Sequence, residues 1–305
     1  MIPLITIEGA TASGKTAFAI ALAQLLQTGI ISADSRQVYR YLDIGTAKPS
    51  REELSAISHH LIGIIDPDQN YSAGRFVKDA TPIINELHNQ SKIPIVCGGT
   101  GLYIRALLHG LFELDIDTCR IKQDLIRRLE HEPLEMLYSE LLTIDPVFAA
   151  QISPNDRQRI IRGLEVWGAT GVPLSLHWRR QQEKETYRCF RILIEPGRKQ
   201  LYDRINARVT QMVKQGLVDE MRTLIDRGFD TRSPGLNTLG YKELMPFFRD
   251  SVPLETCLDL IRQHTRNYAK RQLTWYRKAN FHLTLTSPEF TLSDVTAALR
   301  SFFNV

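Results

Sequence analysis

The sequence has no Cys-x-x-Cys pair, and its four cysteines, Cys97, Cys119, Cys189 and Cys257, stand far apart. That spacing offers neither a zinc site nor a disulfide framework, and both absences fit a reducing, cytoplasmic setting. No apolar run approaches the roughly 20 residues that cross a bilayer, so no membrane association is expected. Met1 leads straight into an apolar run, which leaves no room for a signal peptide. An excess of one charge is lacking too: 38 Lys and Arg stand against 34 Asp and Glu, a net +4. So small an excess pulls weakly toward anionic partners and does not separate nucleic acid from phosphates. What remains is 305 residues, 43% hydrophobic and 24% charged. That is ordinary for a globular protein, and long enough for one large or two modest domains.

Against this background one stretch stands out. Gly9-Ala10-Thr11-Ala12-Ser13-Gly14-Lys15-Thr16 fits Gly-x-x-x-x-Gly-Lys-[Ser/Thr], the phosphate-binding loop. The apolar run Leu4 to Ile7 precedes it and reads as a buried strand. Phe18, Ala21, Leu22 and Leu25 follow at helical spacing. Glycines let the backbone N–H groups point at phosphate oxygens, and the helix N-terminus adds a positive field. Lys15 is placed to reach the terminal phosphate and the Thr16 hydroxyl to bind Mg²⁺. The loop therefore holds a di- or triphosphate, without saying which.

Further strands are expected over Gly29 to Ala33, near His59 to Asp66, and over Lys92 to Cys97, with a helix from Ala80 to Gln90. Asp34 closes the second strand. In an open α/β sheet such positions line the ligand crevice; a turn or N-cap aspartate is the other reading. Adjacent residues of a strand face opposite ways, so His59 and His60 are read as structural or substrate-lining, with no metal. The third strand runs into Gly98-Gly99-Thr100-Gly101. In many nucleotide hydrolases an Asp at that position helps hold Mg²⁺. Its absence weakens ATP hydrolysis, with Asp34 and Asp66 as possible substitutes.

From about Leu114 to Tyr187 strand patterns give way to helical ones, including Ile121 to Leu129, Leu134 to Leu142 and Ile160 to Val166, the last broken by Gly168, Gly171 and Pro173. The fold class expected is α/β: a P-loop NTPase-like parallel sheet flanked by helices, formed by residues 1–113 and 188–305, with an all-helical insertion at 114–187. Within the insertion, Asp156 to Arg162 concentrates charge on one turn and a half; a solvated face is the plain reading. Strand character returns at Cys189 to Ile194. Leu201 to Arg227 reads as a long amphipathic stretch with Arg204 and Arg208 four apart. Arg262 to Lys278 holds six basic residues and no acidic one, interleaved with Tyr268, Trp275 and Tyr276. That pattern suits a nucleic-acid strand and equally suits aromatics in a core beneath solvated charges.

In chain order, the phosphate loop is joined by Asp34-Ser35-Arg36-Gln37-Val38-Tyr39, Gly45-Thr46-Ala47-Lys48-Pro49, Gly98-Gly99-Thr100-Gly101-Leu102-Tyr103, Asn155-Asp156-Arg157-Gln158-Arg159, Gly240-Tyr241-Lys242-Glu243 and Tyr268-Ala269-Lys270-Arg271-Gln272. Together they resemble the bacterial tRNA dimethylallyltransferases over nearly the whole chain. The resemblance implies transfer of the dimethylallyl group of dimethylallyl diphosphate to N6 of adenosine-37, in the anticodon stem-loop of tRNA, with Mg²⁺ as cofactor. It implies a cytoplasmic monomer with no obligate protein partner. The phosphate loop, Gly9, Ala10, Thr11, Ala12, Ser13, Gly14, Lys15 and Thr16, would then hold the donor diphosphate rather than ATP, with Arg208 stabilising the leaving oxygens. Asp34, with an ordinary carboxylate pKa of about 3.9, would take the N6 proton. Thr100 would hold Asp34 or N6 in line. Asp34, Ser35, Arg36 and Gln37 would read the flipped base; Gln158, Arg159, Ile160, Ile161 and Arg162 would fill the gap and hold neighbouring nucleotides. Arg266, Lys270 and Lys122 complete the RNA contacts; Lys122 stands where the family has an arginine, with Arg120 close by. Gly63 and Arg75 replace residues that are usually acidic. Two other readings remain: an adenylate isopentenyltransferase acting on free AMP or ATP, and a P-loop kinase of a small molecule.

Overall fold

The structure is a computed structural model and describes residues 1–112, 117–180, 186–286 and 292–304. The chain divides into two compact units: Met1–His109 with Glu185–Val305, and Gly110–Lys184. The boundary expected after residue 113 lies outside the described residues.

The first unit is built on a six-stranded sheet in the order β3-β2-β4-β1-β5-β6. Its strands are β1 (Ile2–Gly9), β2 (Ile30–Ser32), β3 (His59–His60), β4 (Ile95–Gly98), β5 (Tyr187–Ile194) and β6 (Leu283–Leu285). Every pairing is parallel. β1 is central and buried on both faces, with its polar Thr6 and Glu8 hydrogen-bonded to each other and Glu8 to Arg191 of β5. β5 pairs with β1 along its whole length, Ile2 opposite Tyr187 through Gly9 opposite Ile194. The helices of this unit are α1 (Lys15–Leu25), α2 (Arg51–Ala56), α3 (Ala73–Asn89) and α4 (Gly101–His109), and beyond β5 come α10 (Arg198–Lys214), α11 (Leu217–Asp226), α12 (Tyr241–Arg249), α13 (Leu254–Tyr276) and α14 (Leu292–Phe303). Ile5, Ile7, Ile95 and Ile192 pack with α1 and α14 in one core; Tyr241, Leu217, Met221 and Ile261 centre a second.

Several expected elements differ in extent. The helix expected from Ala80 starts at Ala73, because Ser72 caps it by accepting the Arg75 N–H at 3.1 Å. The stretch from Leu201 to Arg227 is two helices, since Gly216 at φ 99° ends the first run in a left-handed turn. The strand expected near His59 to Asp66 shrinks to two residues, His59–His60; Leu61 and Gly63 take positive φ, and Ile65 makes a strand-like bridge to Tyr39. β6 has no counterpart in the sequence reading.

The second unit consists of α5 (Cys119–Arg128), α6 (Leu134–Ile144), α7 (Pro146–Ala149), α8 (Arg157–Thr170) and α9 (Leu174–Arg180). Leu125, Leu137, Leu141, Phe148, Ile160 and Leu164 form its core. Asp156 caps α8 and Gly171, at φ 65°, ends it; Gly168 lies inside the helix and does not break it. Among the described residues, no helix is long and apolar enough to cross a membrane.

Candidate active site

The phosphate loop follows β1. Ala12 at φ 63° and Gly14 at φ 97° curl the chain before Lys15 opens α1. The Lys15 ammonium folds back over its own loop, 3.4 Å from the Ala10 carbonyl. Two arginines of α10, one turn apart, reach the same loop: Arg204 donates to the Ser13 carbonyl at 3.0 Å and Arg208 to the Thr11 hydroxyl at 3.4 Å. Burial pulls the Lys15 pKa down, with the Arg208 charge adding to it, while Cys97 and Asp34 oppose the shift. Burial also lowers Arg208, again opposed by Asp34. Buried cations with this little compensating charge form an anion site.

Asp34 stands beyond β2. Its Oδ1 accepts the backbone N–H groups of Arg36 at 2.9 Å and Gln37 at 3.4 Å. Asp34 thus does two things: one oxygen makes the turn, and the side chain lines the cavity beside Lys15 and Arg208. Thr100 does not bond Asp34. Its hydroxyl accepts from the Ser35 N–H at 3.0 Å and its own N–H donates to the Ala33 carbonyl at 3.2 Å, so it pins the residues on either side. Gln37 is occupied within the protein. Its amide donates to the Ala47 carbonyl at 3.0 Å and accepts from the Ser32 hydroxyl at 3.1 Å. With both ends of its amide bonded, Gln37 lines the larger cavity. Arg36 donates to the Pro234 carbonyl at 3.3 Å.

Two cavities share this centre. One, of 490 Å³, adds Tyr268, Arg271, His264, Lys242 and Asn237 to its wall. The other, of 1090 Å³, takes in Ala12, Gly14, Thr16, Arg204 and Gln211. Thr11, Lys15, Asp34, Thr46, Ala47, Arg208 and Met212 line both. Ligands occupying the two cavities would meet between the phosphate loop and Asp34. For Mg²⁺, the Thr16 side chain shares a small recess with Lys15, Ser32 and Asp34, and Ser13 Oγ is buried without a hydrogen-bond partner. Among the described residues there is no cluster of three or more His, Cys, Asp or Glu for a metal. One hydroxyl completed by phosphate oxygens and water is a donor set that suits Mg²⁺. Asp66 is unsuited as a substitute ligand, because it pairs with Arg40 at 3.3 Å and lines neither cavity.

The Gly45-Thr46-Ala47 wall is held from behind. A Cβ on Gly45 would lie 2.5 Å from the Tyr241 ring, so only glycine fits there. Lys48 pairs with Asp43 at 2.6 Å. Gly63 faces it at φ 60°, a conformation that explains glycine at this departure from the family pattern. Arg75, the other departure, covers the Tyr71 ring at 5.3 Å and sits 3.9 Å from Asp79.

Of the two readings left open for the basic stretch, the inward-facing one describes much of α13. α13 is mainly a wall of the site. Gln272 and Tyr276 are buried, and Arg262 is neutralised by Glu255 at 2.7 Å and Asp259 at 2.6 Å. The acidic partners precede the stretch that looked wholly basic. Arg266 bonds Asn206 of α10 at 2.8 Å, whereas Lys270 is exposed. Tyr268 lines the smaller cavity, its phenol pushed up to about 12 chiefly by burial and then by the Asp34 charge. In the helical unit Ile160 and Ile161 are buried in the core, so their side chains pack and cannot meet RNA. Gln158 and Lys122 are exposed. Arg159 pairs with Asp156 at 3.0 Å and Arg162 with Glu165 at 3.2 Å. Arg204, Gln272 and Glu220 were not singled out from sequence for the site. For Arg204 the i, i+4 spacing with Arg208 was the available signal; for Gln272 it was a polar residue beside Ala269 and Tyr276 on one helix face.

Comparison with known proteins agrees with this geometry. The family model described as IPP transferase matches residues 37–279, and that described as isopentenyl transferase matches residues 2–71. The tRNA dimethylallyltransferase 1 of Syntrophotalea carbinolica is 42% identical over 286 residues, covering 93% of this chain and 91% of that protein. The full-length tRNA isopentenylpyrophosphate transferase of Bacillus halodurans superposes with a TM-score of 0.70 at 37% identity, over 100% of this chain and 96% of that one. A eukaryotic dimethylallyltransferase acting on tRNA gives a TM-score of 0.84 at 27% identity, over 100% of this chain and 80% of that one. With a phosphate loop, a carboxylate and two cavities meeting between them, and with relatives that match end to end, the chain belongs to the tRNA dimethylallyltransferases, the IPP transferase family.

Proposed function

We propose that this prenyltransferase moves the dimethylallyl group of dimethylallyl diphosphate onto N6 of adenosine-37 in the anticodon loop of tRNA. The observation that carries the reading is the seam between the cavities, where Asp34 faces Lys15, Arg208 and Thr11. In the reaction the bond from the allylic carbon to the diphosphate oxygen breaks, and its electron pair leaves with diphosphate. The N6 lone pair forms the new C–N bond, and the N6 proton passes to Asp34. Lys15, Arg204 and Arg208 meet the charge growing on the leaving oxygens. Thr16 would hold Mg²⁺, which when bound supplies further positive charge there. The target base is stacked in its loop and must be flipped out to enter the smaller cavity. Lys122, Gln158, Arg159 and Arg162 of the helical unit, with Arg36 and Lys270 of the other, are proposed to hold the surrounding nucleotides.

The test supplies labelled dimethylallyl diphosphate with tRNA, AMP or ATP in separate reactions. Label on tRNA, at the nucleotide beside the anticodon, is the expected outcome. Label on AMP or ATP alone would move the assignment to a free-nucleotide acceptor, and ATP turnover without label transfer to a kinase.

A further inference from the structure

Gln272 lies on α13 and is only 7% exposed. Its amide joins two segments far apart in sequence. Oε1 accepts the Thr11 N–H at 2.9 Å, and Nε2 donates to the Gly99 carbonyl at 2.8 Å. The fit leaves no slack: a Cβ on Gly99 would lie 2.5 Å from Nε2. One turn on, the Tyr276 hydroxyl donates to the Gly9 carbonyl at 3.4 Å. Trp275 closes on the same corner, where a Cβ on Gly101 would lie 2.1 Å from its ring nitrogen. A side-chain amide offers an acceptor to one loop and a donor to the other from two separate atoms, without a charge.

The two loops carry the two halves of the chemistry. Thr11 belongs to the loop that cradles the leaving diphosphate. Gly99 precedes Thr100, which pins Ser35 beside Asp34. We infer that Gln272 is a positioning residue that sets the spacing between leaving group and nucleophile, an inference resting on the proposed transfer. Gln272 lines the smaller cavity, and both ends of its amide are bonded to the two loops. It fixes the phosphate loop against the loop that aligns the base.

The test is single-turnover transfer from dimethylallyl diphosphate to tRNA by the wild type, Gln272→Ala and Gln272→Glu. Gln272→Ala is expected to lose about 10²-fold in rate at saturation, the usual effect of misplacing reactants by about an ångström. Half-saturating concentrations of donor and tRNA should stay within about threefold of wild type, since ground-state contacts are kept. Gln272→Glu adds a second arm. Its ionised carboxylate accepts from Thr11 but repels the Gly99 carbonyl, whereas the protonated acid restores both bonds. Burial raises such a carboxyl's pKa, so the rate of this variant should climb as pH falls from about 8 to about 5.5, while wild type stays level. Each profile is normalised to its own maximum, so a lower yield of folded protein does not imitate the effect. A Gln272→Ala rate equal to wild type, a loss carried entirely by donor affinity, or superimposable pH profiles would overturn the inference. If the wild type itself labels no tRNA, the proposed function fails first; if it does and the variants match it, only the role of Gln272 fails.

Discussion

The Tyr241 hydroxyl donates to Glu220 Oε1 at 2.6 Å, and that carboxylate also collects the backbone N–H groups of Asp43, Ile44 and Gly45 at 2.9 to 3.2 Å. The Gly45 N–H bonds the Tyr241 oxygen as well, at 3.0 Å. One acidic side chain thus replaces the solvent that a polar loop would otherwise need. It fixes Thr46 and Ala47, which line both cavities.

Tyr241→Phe is therefore expected to lower unfolding stability by about 1.5–3 kcal/mol, the usual range for a hydrogen bond to a charged group. Glu220→Gln should do more, because both carboxylate oxygens accept backbone N–H groups and an amide NH2 would face one set of them. Urea denaturation of the two variants checks the order; Tyr241→Phe proving the more damaging would reverse the assignment.

Asp34→Asn is expected to slow the single-turnover rate at saturating tRNA by roughly 10²–10⁴-fold, the usual contribution of a general base. The amide keeps the turn bonds to Arg36 and Gln37, so tRNA affinity should hardly move. A change confined to affinity would remove Asp34 from the base role.

Lys15 titrates below an ordinary lysine because burial disfavours its charge. The folded state thus binds fewer protons than the unfolded chain between that lowered value and the unfolded value of about 10.4, and stability from this group rises with pH across that window. A diphosphate restores the lost interaction and draws the pKa back up. Binding of dimethylallyl diphosphate near the top of the accessible pH range should therefore take up protons. Calorimetry in two buffers of different ionisation heat reads this directly, and Lys15→Ala should abolish both the uptake and most of the affinity.

Arg262 and Lys270 should part company in a salt titration of tRNA binding. Lys270→Gln is expected to weaken binding and flatten the log–log salt slope by roughly 0.7–0.9, the share of one phosphate contact. Arg262→Gln should leave the slope unchanged, because its charge is already met by Glu255 and Asp259. Its effect on stability should be about 1 kcal/mol or less, as for exposed ion pairs. Equal slopes for Lys270→Gln and wild type would take Lys270 off the RNA contact surface.

What the sequence settled by itself was whatever is local or periodic. The phosphate loop declares itself because a strand, two glycines and a lysine must follow one another along the chain to make that curl. The parallel strands Leu4–Ile7 and Cys189–Ile194 are legible as apolar runs, and the helical insertion as a change of period. Asp34 was legible by its place after a strand, although one residue type served two readings until the turn bonds and the cavity were both visible. The tertiary structure alone decided which side chains act at a distance. Gln272 reaches Thr11 across 261 residues, and Arg208 reaches the same threonine across 197. Nothing periodic marks such pairs, since they exist only once β5 lies beside β1 and brings α10 and α13 against the loop. The same cause left the basic helix open between two readings. Charge in sequence counts residues, but charge in space counts neighbours, and Arg262 had found its carboxylates on the preceding turns. Ile160 and Ile161 show the opposite effect: a helix turns one face inward, so consecutive residues of one motif cannot all be exposed.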